Sequence, residues 1–145
     1  MSRYQFDAEP YPLEFEQETT ALLMIDMQRD FLETGRFGDM LGNDVSLLRS
    51  TIEPCRRVLE TAREIGLAVI HTREGHRPDL ADAPPSKLAR GGLDIGIGDD
   101  GPMGRVLVRG EHGHDIIPEL YPAAQRISGR RDARRRHDVA EGCPV

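Results

Sequence analysis

Lysine is almost missing from this 145-residue chain. Of its 19 basic residues, only Lys87 is a lysine, and the rest are arginines. Cysteine is scarce as well: Cys55 and Cys143 alone make no disulfide framework. No stretch approaches the roughly 18 consecutive apolar residues of a membrane span. The opening Met1-Ser2-Arg3-Tyr4-Gln5-Phe6-Asp7 has no apolar segment of the kind a secretory signal needs. These shortages describe a cytoplasmic chain with no membrane partner. What is present suffices for one domain, since 38% of the residues are hydrophobic.

The net charge of −6 conceals two halves of opposite sign. Residues 125–145 hold six arginines (126, 130, 131, 134, 135 and 136) against three acids. Residues 1–124 hold 13 bases against 22 acids. An acidic body repels phosphates, so nucleic acid is not an expected partner. The basic tail reads as a solvated, disordered end or as a short polyanion-binding segment.

Along the chain, residues 1–18 are polar and read as a surface arm. Thr19-Thr20-Ala21-Leu22-Leu23-Met24-Ile25-Asp26 is a short apolar run ending in a carboxylate, which suits a strand buried on both faces of a parallel sheet. Residues 33–44, with three glycines and an Asn-Asp pair, read as loop. Val45, Leu48, Ile52, Cys55, Leu59 and Ala62 recur at steps of three and four, one face of a helix. Pro54 either kinks that helix or lies in its first turn after a Ser50 or Thr51 cap, and Gly66 ends it. Leu67-Ala68-Val69-Ile70-His71-Thr72 is a second buried strand, completing a βαβ unit. Residues 73–104 form a long excursion. Val106-Leu107-Val108 is a third strand candidate, and residues 114–120 make a helical turn or simply a packed turn.

Asp26 is the leading chemical candidate. In open parallel sheets, ligands bind beyond the carboxyl ends of the strands. A carboxylate at such an end, shielded by Leu23 and Ile25, becomes a better proton acceptor near neutrality. An Asp that merely caps the next turn fits the local sequence equally well.

Leu22-Leu23-Met24-Ile25-Asp26-Met27-Gln28-Arg29-Asp30-Phe31 resembles the first strand of the isochorismatase-like cysteine hydrolases. The similarity continues through His71-Thr72-Arg73-Glu74-Gly75-His76-Arg77-Pro78-Asp79-Leu80 and from Arg109-Gly110-Glu111 to Pro118-Glu119-Leu120. These later stretches are most similar to the branch that cleaves ureide-type amides, the biuret and ureidoacrylate hydrolases. The resemblance implies a three-layer α/β/α fold around a parallel sheet, usually in homo-oligomers, with no cofactor or metal. It implies a Cys–Asp–Lys triad that cleaves a C–N bond of a small amide or ureide. The Asp accepts the thiol proton, the thiolate forms a thioester, and water then cleaves it. The family's Asp falls on Asp26 and its pocket aromatic on Phe31. Gln28, Arg73 and His76 join them as substrate-binding candidates.

The pattern then breaks. Where the family has a Pro-Val strand and a lysine, this chain has Ser128-Gly129-Arg130-Arg131-Asp132, and no nucleophile strand follows. The carboxyl-terminal half of the domain, about two strands and two helices, is unfilled, so residues 19–124 read as a partial domain. Residues 125–145 are explained by a shifted reading frame, a short isoform or a deletion. Cys55 falls on the apolar helix face and reads as core; Cys143 lies outside any element; Lys87 reads as a solvated loop residue. His71, His76, His112 and His114 lack the Asp-x-His spacing of related metal-binding nicotinamidases. Three functions remain in view: a cysteine amidohydrolase, an inactive remnant serving as a structural or partner subunit, and a regulatory or nucleic-acid-binding module using the basic tail. Six arginines without an aromatic or a fold make a weak motif for the last.

Overall fold

The computed structural model describes residues 2–89 and 95–123 and, for 140–141, the backbone. The first elements are strands β1 (Arg3–Phe6) and β2 (Leu13–Glu16), paired antiparallel with Tyr4 opposite Phe15. Tyr4 and Phe6 project on one face with Phe15, at ring-centroid distances of 5.6 Å and 6.0 Å. The region expected as a surface arm is a hairpin carrying a small aromatic cluster. Gln17 ties it to the body, donating from its side chain to the Gly66 carbonyl at 3.3 Å.

Strand β3 (Ala21–Met24) is followed by three short helices, α1 (Arg29–Leu32), α2 (Phe37–Met40) and α3 (Val45–Arg49), and then by α4 (Ile52–Glu64). Helix α2 corrects the expectation of loop across 33–44. Its turn lies so close to α1 that a β-carbon on Gly38 would sit 2.6 Å from the Phe31 carbonyl oxygen, so only glycine fits there. Pro54 is the third residue of α4 and kinks nothing, because first-turn N–H groups have no intrahelical acceptor to lose. At the other end Gly66 takes φ +72°, and the Leu67 N–H reaches back to the Ala62 carbonyl at 2.8 Å.

Strand β4 (Ala68–Arg73) lies parallel to β3, with Ala21 beside Ala68 and Met24 beside His71. Side chains alternate across a strand. Leu22, Met24, Val69 and His71 thus share one face, and Ala21, Leu23, Ala68 and Ile70 the other. The first face is the core. Met24 and Val69 pack there against Leu59 and Ala62 of α4 and against Ile116, Ile117 and Leu120, all buried. The second face is open: Leu23 is 52% exposed and Ile25 61%. The strand expected to be buried on both faces is buried on one. Its apolar composition suits a second cover, and none of the described residues supplies it.

Beyond β4 the chain makes a short helix α5 (Pro85–Leu88) and a two-rung hairpin of β5 (Asp100–Gly101) and β6 (Gly104–Arg105). Val106-Leu107-Val108, expected as a strand, is a buried loop: the three residues are at most 2% exposed, and Leu107 takes φ +51°. Its one ladder contact is the bridge between His76 and Val108. Packing with Phe37, not pairing with a strand, buries Val106 and Leu107. A 3₁₀ turn over Pro118–Leu120 then seals the core. Backbone residues 140–141 form β7, parallel to Thr72 and Arg73 of β4. The expectations for the rest of 125–145, Cys143 included, lie outside the described residues. No helix among the described residues is long and apolar enough to cross a membrane.

Leu59, at 1% exposure, is the side chain on which α4 closes over the sheet. Leu59→Ala should cost about 2–5 kcal/mol of folding stability. Val58→Ala, one residue away on the exposed face, should change it by less than about 0.5 kcal/mol. Urea denaturation of the two variants checks the contrast.

Candidate functional site

Asp26 lies two residues past the end of β3, and its backbone is left-handed at φ +53°. Such a conformation costs a non-glycine residue about 1–3 kcal/mol, and Asp and Asn tolerate it best. Four hydrogen bonds hold it. The Asp26 N–H donates both to the Thr72 carbonyl and to Thr72 Oγ1, each at 3.2 Å. The Thr72 hydroxyl donates in turn to Asp26 Oδ1 at 2.7 Å. The Gln28 N–H donates to the Asp26 carbonyl at 2.8 Å. Asp26 is half-buried, and because Leu23 and Ile25 are exposed, the apolar shielding expected from them is absent. Its carboxylate is set by a hydroxyl from the adjoining parallel strand.

Gln28 is fully buried and spends its amide on the protein. Its Nε2 donates to the carbonyls of Glu74 and His114, both at 2.9 Å, and its Oε1 accepts from the Glu74 N–H at 2.6 Å. This substrate-binding candidate thus joins three segments: the turn after β3, the end of β4 and the 110–116 loop. Phe31, half-buried, packs between the two apolar clusters, with its ring 6.3 Å from that of Phe37. Arg73 reaches Asp115 Oδ1 at 3.4 Å, and the Tyr121 hydroxyl donates to the other Asp115 oxygen at 3.2 Å. These three residues, with Glu111, His112 and His114, line an open cavity of about 400 Å³, of which Asp26 is not a lining residue. His76 is buried, its Nδ1 3.5 Å from Asp82 Oδ1, and Asp82 also meets Arg109 at 3.3 Å. The N–H of Arg77, donating to Asp82, and then the Arg109 charge hold that carboxyl below its ordinary range.

The structure brings Asp26, Thr72 and Gln28 together and sets Arg73 in a neighbouring cavity. Cys55 packs partly buried against the core, in keeping with the helix pattern. Lys87 departs from the solvated reading: its Nζ lies 2.6 Å from Glu74 Oε1, and both side chains are about two-thirds buried. No group of three His, Cys, Asp or Glu side chains among the described residues is placed to hold a metal ion.

Thr72 and Asp30 have roles that the sequence alone did not assign. The signal for Thr72 is register: with Met24 beside His71, Thr72 comes level with the turn that carries Asp26. Asp30 is buried under the 103–115 loop. It accepts the Leu107 N–H at 3.0 Å, and a side chain on Gly113 would collide with its carboxyl. Only long-range folding brings these groups together.

A family model described as Isochorismatase domain matches residues 20–134. This chain belongs to the isochorismatase family. A solved isochorismatase family protein from Desulfovibrio vulgaris subsp. vulgaris str. Hildenborough superposes with a TM-score of 0.51 at 30% identity. The match covers 72% of this chain and 47% of that one. The ureidoacrylate amidohydrolase RutB of Caulobacter segnis is 29% identical over 119 residues, 79% of this chain and 50% of its own length. The RutB of Yersinia enterocolitica is 29% identical over 125 residues, 83% of this chain and 54% of its own length. The family's α/β fold is therefore the fold here, and the chain spans about half the length of the relatives it matches.

Burial raises the pKa of Asp30, against the lowering effects of the Leu107 N–H and the Arg36 charge. Folding thus favours the protonated carboxyl. That contribution is complete below the unfolded-state pKa and is lost as pH rises through the higher native one. Stability should therefore fall as pH climbs out of the ordinary carboxylate range. Asp30→Asn keeps an acceptor for the Leu107 N–H and should flatten that decline. Urea midpoints measured across pH for both proteins check it.

Proposed function

We propose that Asp26 is the base of a cysteine-hydrolase site that cleaves a C–N bond of a small ureide or amide. The observation that carries this reading is the geometry of Asp26. It is a strained, left-handed carboxylate at the carboxyl end of a parallel strand, fixed by the Thr72 hydroxyl and left half open to solvent. Strain kept at a strand end is typical of functional sites. Similarity to the ureidoacrylate amidohydrolases supports the substrate class. In the reaction, Asp26 takes the proton of a cysteine thiol, and the thiolate attacks the substrate carbonyl. The C–N bond breaks, the nitrogen leaves as amine or ammonia, and water hydrolyses the thioester. Arg73, buttressed by Asp115, and His76 are the candidates for holding the polar ends of the substrate.

One observation favours a second reading, a folded but inactive unit. Cys55, the one cysteine among the described residues, packs against the core instead of facing a cleft.

Ammonia release from ureidoacrylate, biuret and nicotinamide separates the two. A ureide should be hydrolysed, and Asp26→Asn, which keeps the backbone conformation accessible, should lower the rate by about 10²-fold or more. Release that survives Asp26→Asn would refute the assignment of the base. Absence of release from a cooperatively folded chain would count against the first reading and favour the second.

A further inference from the structure

Leu107 is held in a conformation that leucine avoids. Its φ is +51°, and its side chain is buried. A bulky residue keeps a left-handed backbone only where its surroundings enforce it. Two bonds do so here. The Leu107 N–H donates to Asp30 Oδ2 at 3.0 Å, and the Leu107 carbonyl accepts the His76 N–H at 2.8 Å. The loop meets Asp30 a second time at Gly113. There the Asp30 N–H donates to the Gly113 carbonyl at 2.9 Å, and any β-carbon on Gly113 would strike the carboxyl. Between these two points the loop supplies Gly110, Glu111 and His112 to the open cavity beside Arg73. The opposite wall is fixed: the Gln28 amide holds the His114 carbonyl, and the Arg29 N–H holds that of Asp115. One wall of the cavity is thus seated on a single buried carboxyl.

From this arrangement we infer that Asp30 is a proton-operated catch on the cavity wall: residues 107–113 stay closed over the neutral carboxyl and open more readily once it ionises. Closure over the ionised form buries a charge, which is tolerable only with full pairing. The neighbouring charges do not supply it. Arg36 favours the ionised form, Glu33 opposes it, and Arg29 is taken by Glu33. The charged groups of the loop face elsewhere: Arg105 the carbonyls of Gly98 and Pro78, Arg109 the carboxyl of Asp82, Glu111 the backbone of Gly104. The His76 ring is turned to Asp82, while His112, His114 and Asp115 line the cavity. Burial accordingly raises the pKa of Asp30. Opening also releases the strain at Leu107, which narrows the gap between the two forms. Glu111 and His112 then leave the cavity, and Arg73, Asp115 and Tyr121 remain. The inference concerns the motion of this wall and does not depend on the proposed reaction.

Site-resolved amide exchange in the full chain tests this, with each rate taken relative to the unstructured chain at the same pH. The Leu107 and Gly113 amides should be less protected than that of Leu59 and indifferent to low urea, the mark of a local opening. Ile117, past the fixed end of the loop, should follow Leu59. Protection at Leu107 and Gly113 should fall by about threefold or more as pH rises through the ordinary carboxylate range and just above it, then level off. Asp30→Asn keeps an acceptor for the Leu107 N–H and should abolish that fall. A second measurement needs no variant: the fall should end at the pH where the carboxyl carbon of Asp30, followed by NMR, titrates. Loop amides that exchange only together with Leu59 would overturn the inference. So would protection that does not change with pH, a fall that survives Asp30→Asn, or one that ends away from the Asp30 titration.

Discussion

The buried amide of Gln28 holds the site end of this fold together. A fully buried amide is tolerable only when its donors and acceptor are matched, and leaving one unmatched costs about 1–3 kcal/mol. Here both amide hydrogens and the oxygen are engaged, and every partner is backbone. Three segments distant in sequence, at residues 28, 74 and 114, become one rigid corner. Asp26 hangs from that corner through its own carbonyl, Asp30 extends it into the 103–115 loop, and Arg73 leaves from its far side. Without that corner, the parallel pair of strands would carry loops with no common reference.

The amphipathic layer comes from simpler physics. Helix α4 covers one face of β3 and β4 because its apolar residues recur at helical spacing. The pattern was legible in the sequence as far as Gly66, because local rules govern helix ends, whereas Pro54 left a kink and a first-turn position both open and the structure has the second. The strands were legible as strands, but the extent of their burial was not. An apolar run states what a strand prefers to face, not whether the rest of the chain provides it. Leu23 and Ile25 carry that difference. Val106-Leu107-Val108 errs in the opposite sense: a run apolar enough for a strand is buried by a loop that no ladder supports.

Site residues divided along a similar line. Asp26 stood out because strand-end carboxylates are recognisable from sequence. Thr72 did not, since its role depends on the register between two strands 46 positions apart. The demands on Gln28 could not be read either, because a motif gives the residue without its partners. Lys87 looked like a loop residue by position, yet Glu74, fixed by Gln28, binds it.

The left-handed backbone at position 26 has a consequence for the history of the chain. Glycine occupies that region freely, and asparagine and aspartate tolerate it better than other residues do, so the conformation does not demand an acid. Within the proposed reaction only the carboxylate does. Asparagine could keep both the backbone and an acceptor for the Thr72 hydroxyl, and under that proposal it would remove the base. If the proposal holds, selection for catalysis and selection for structure come apart at this single residue. A lineage that had abandoned the reaction would be free to drift to asparagine or glycine here, long before its core began to erode.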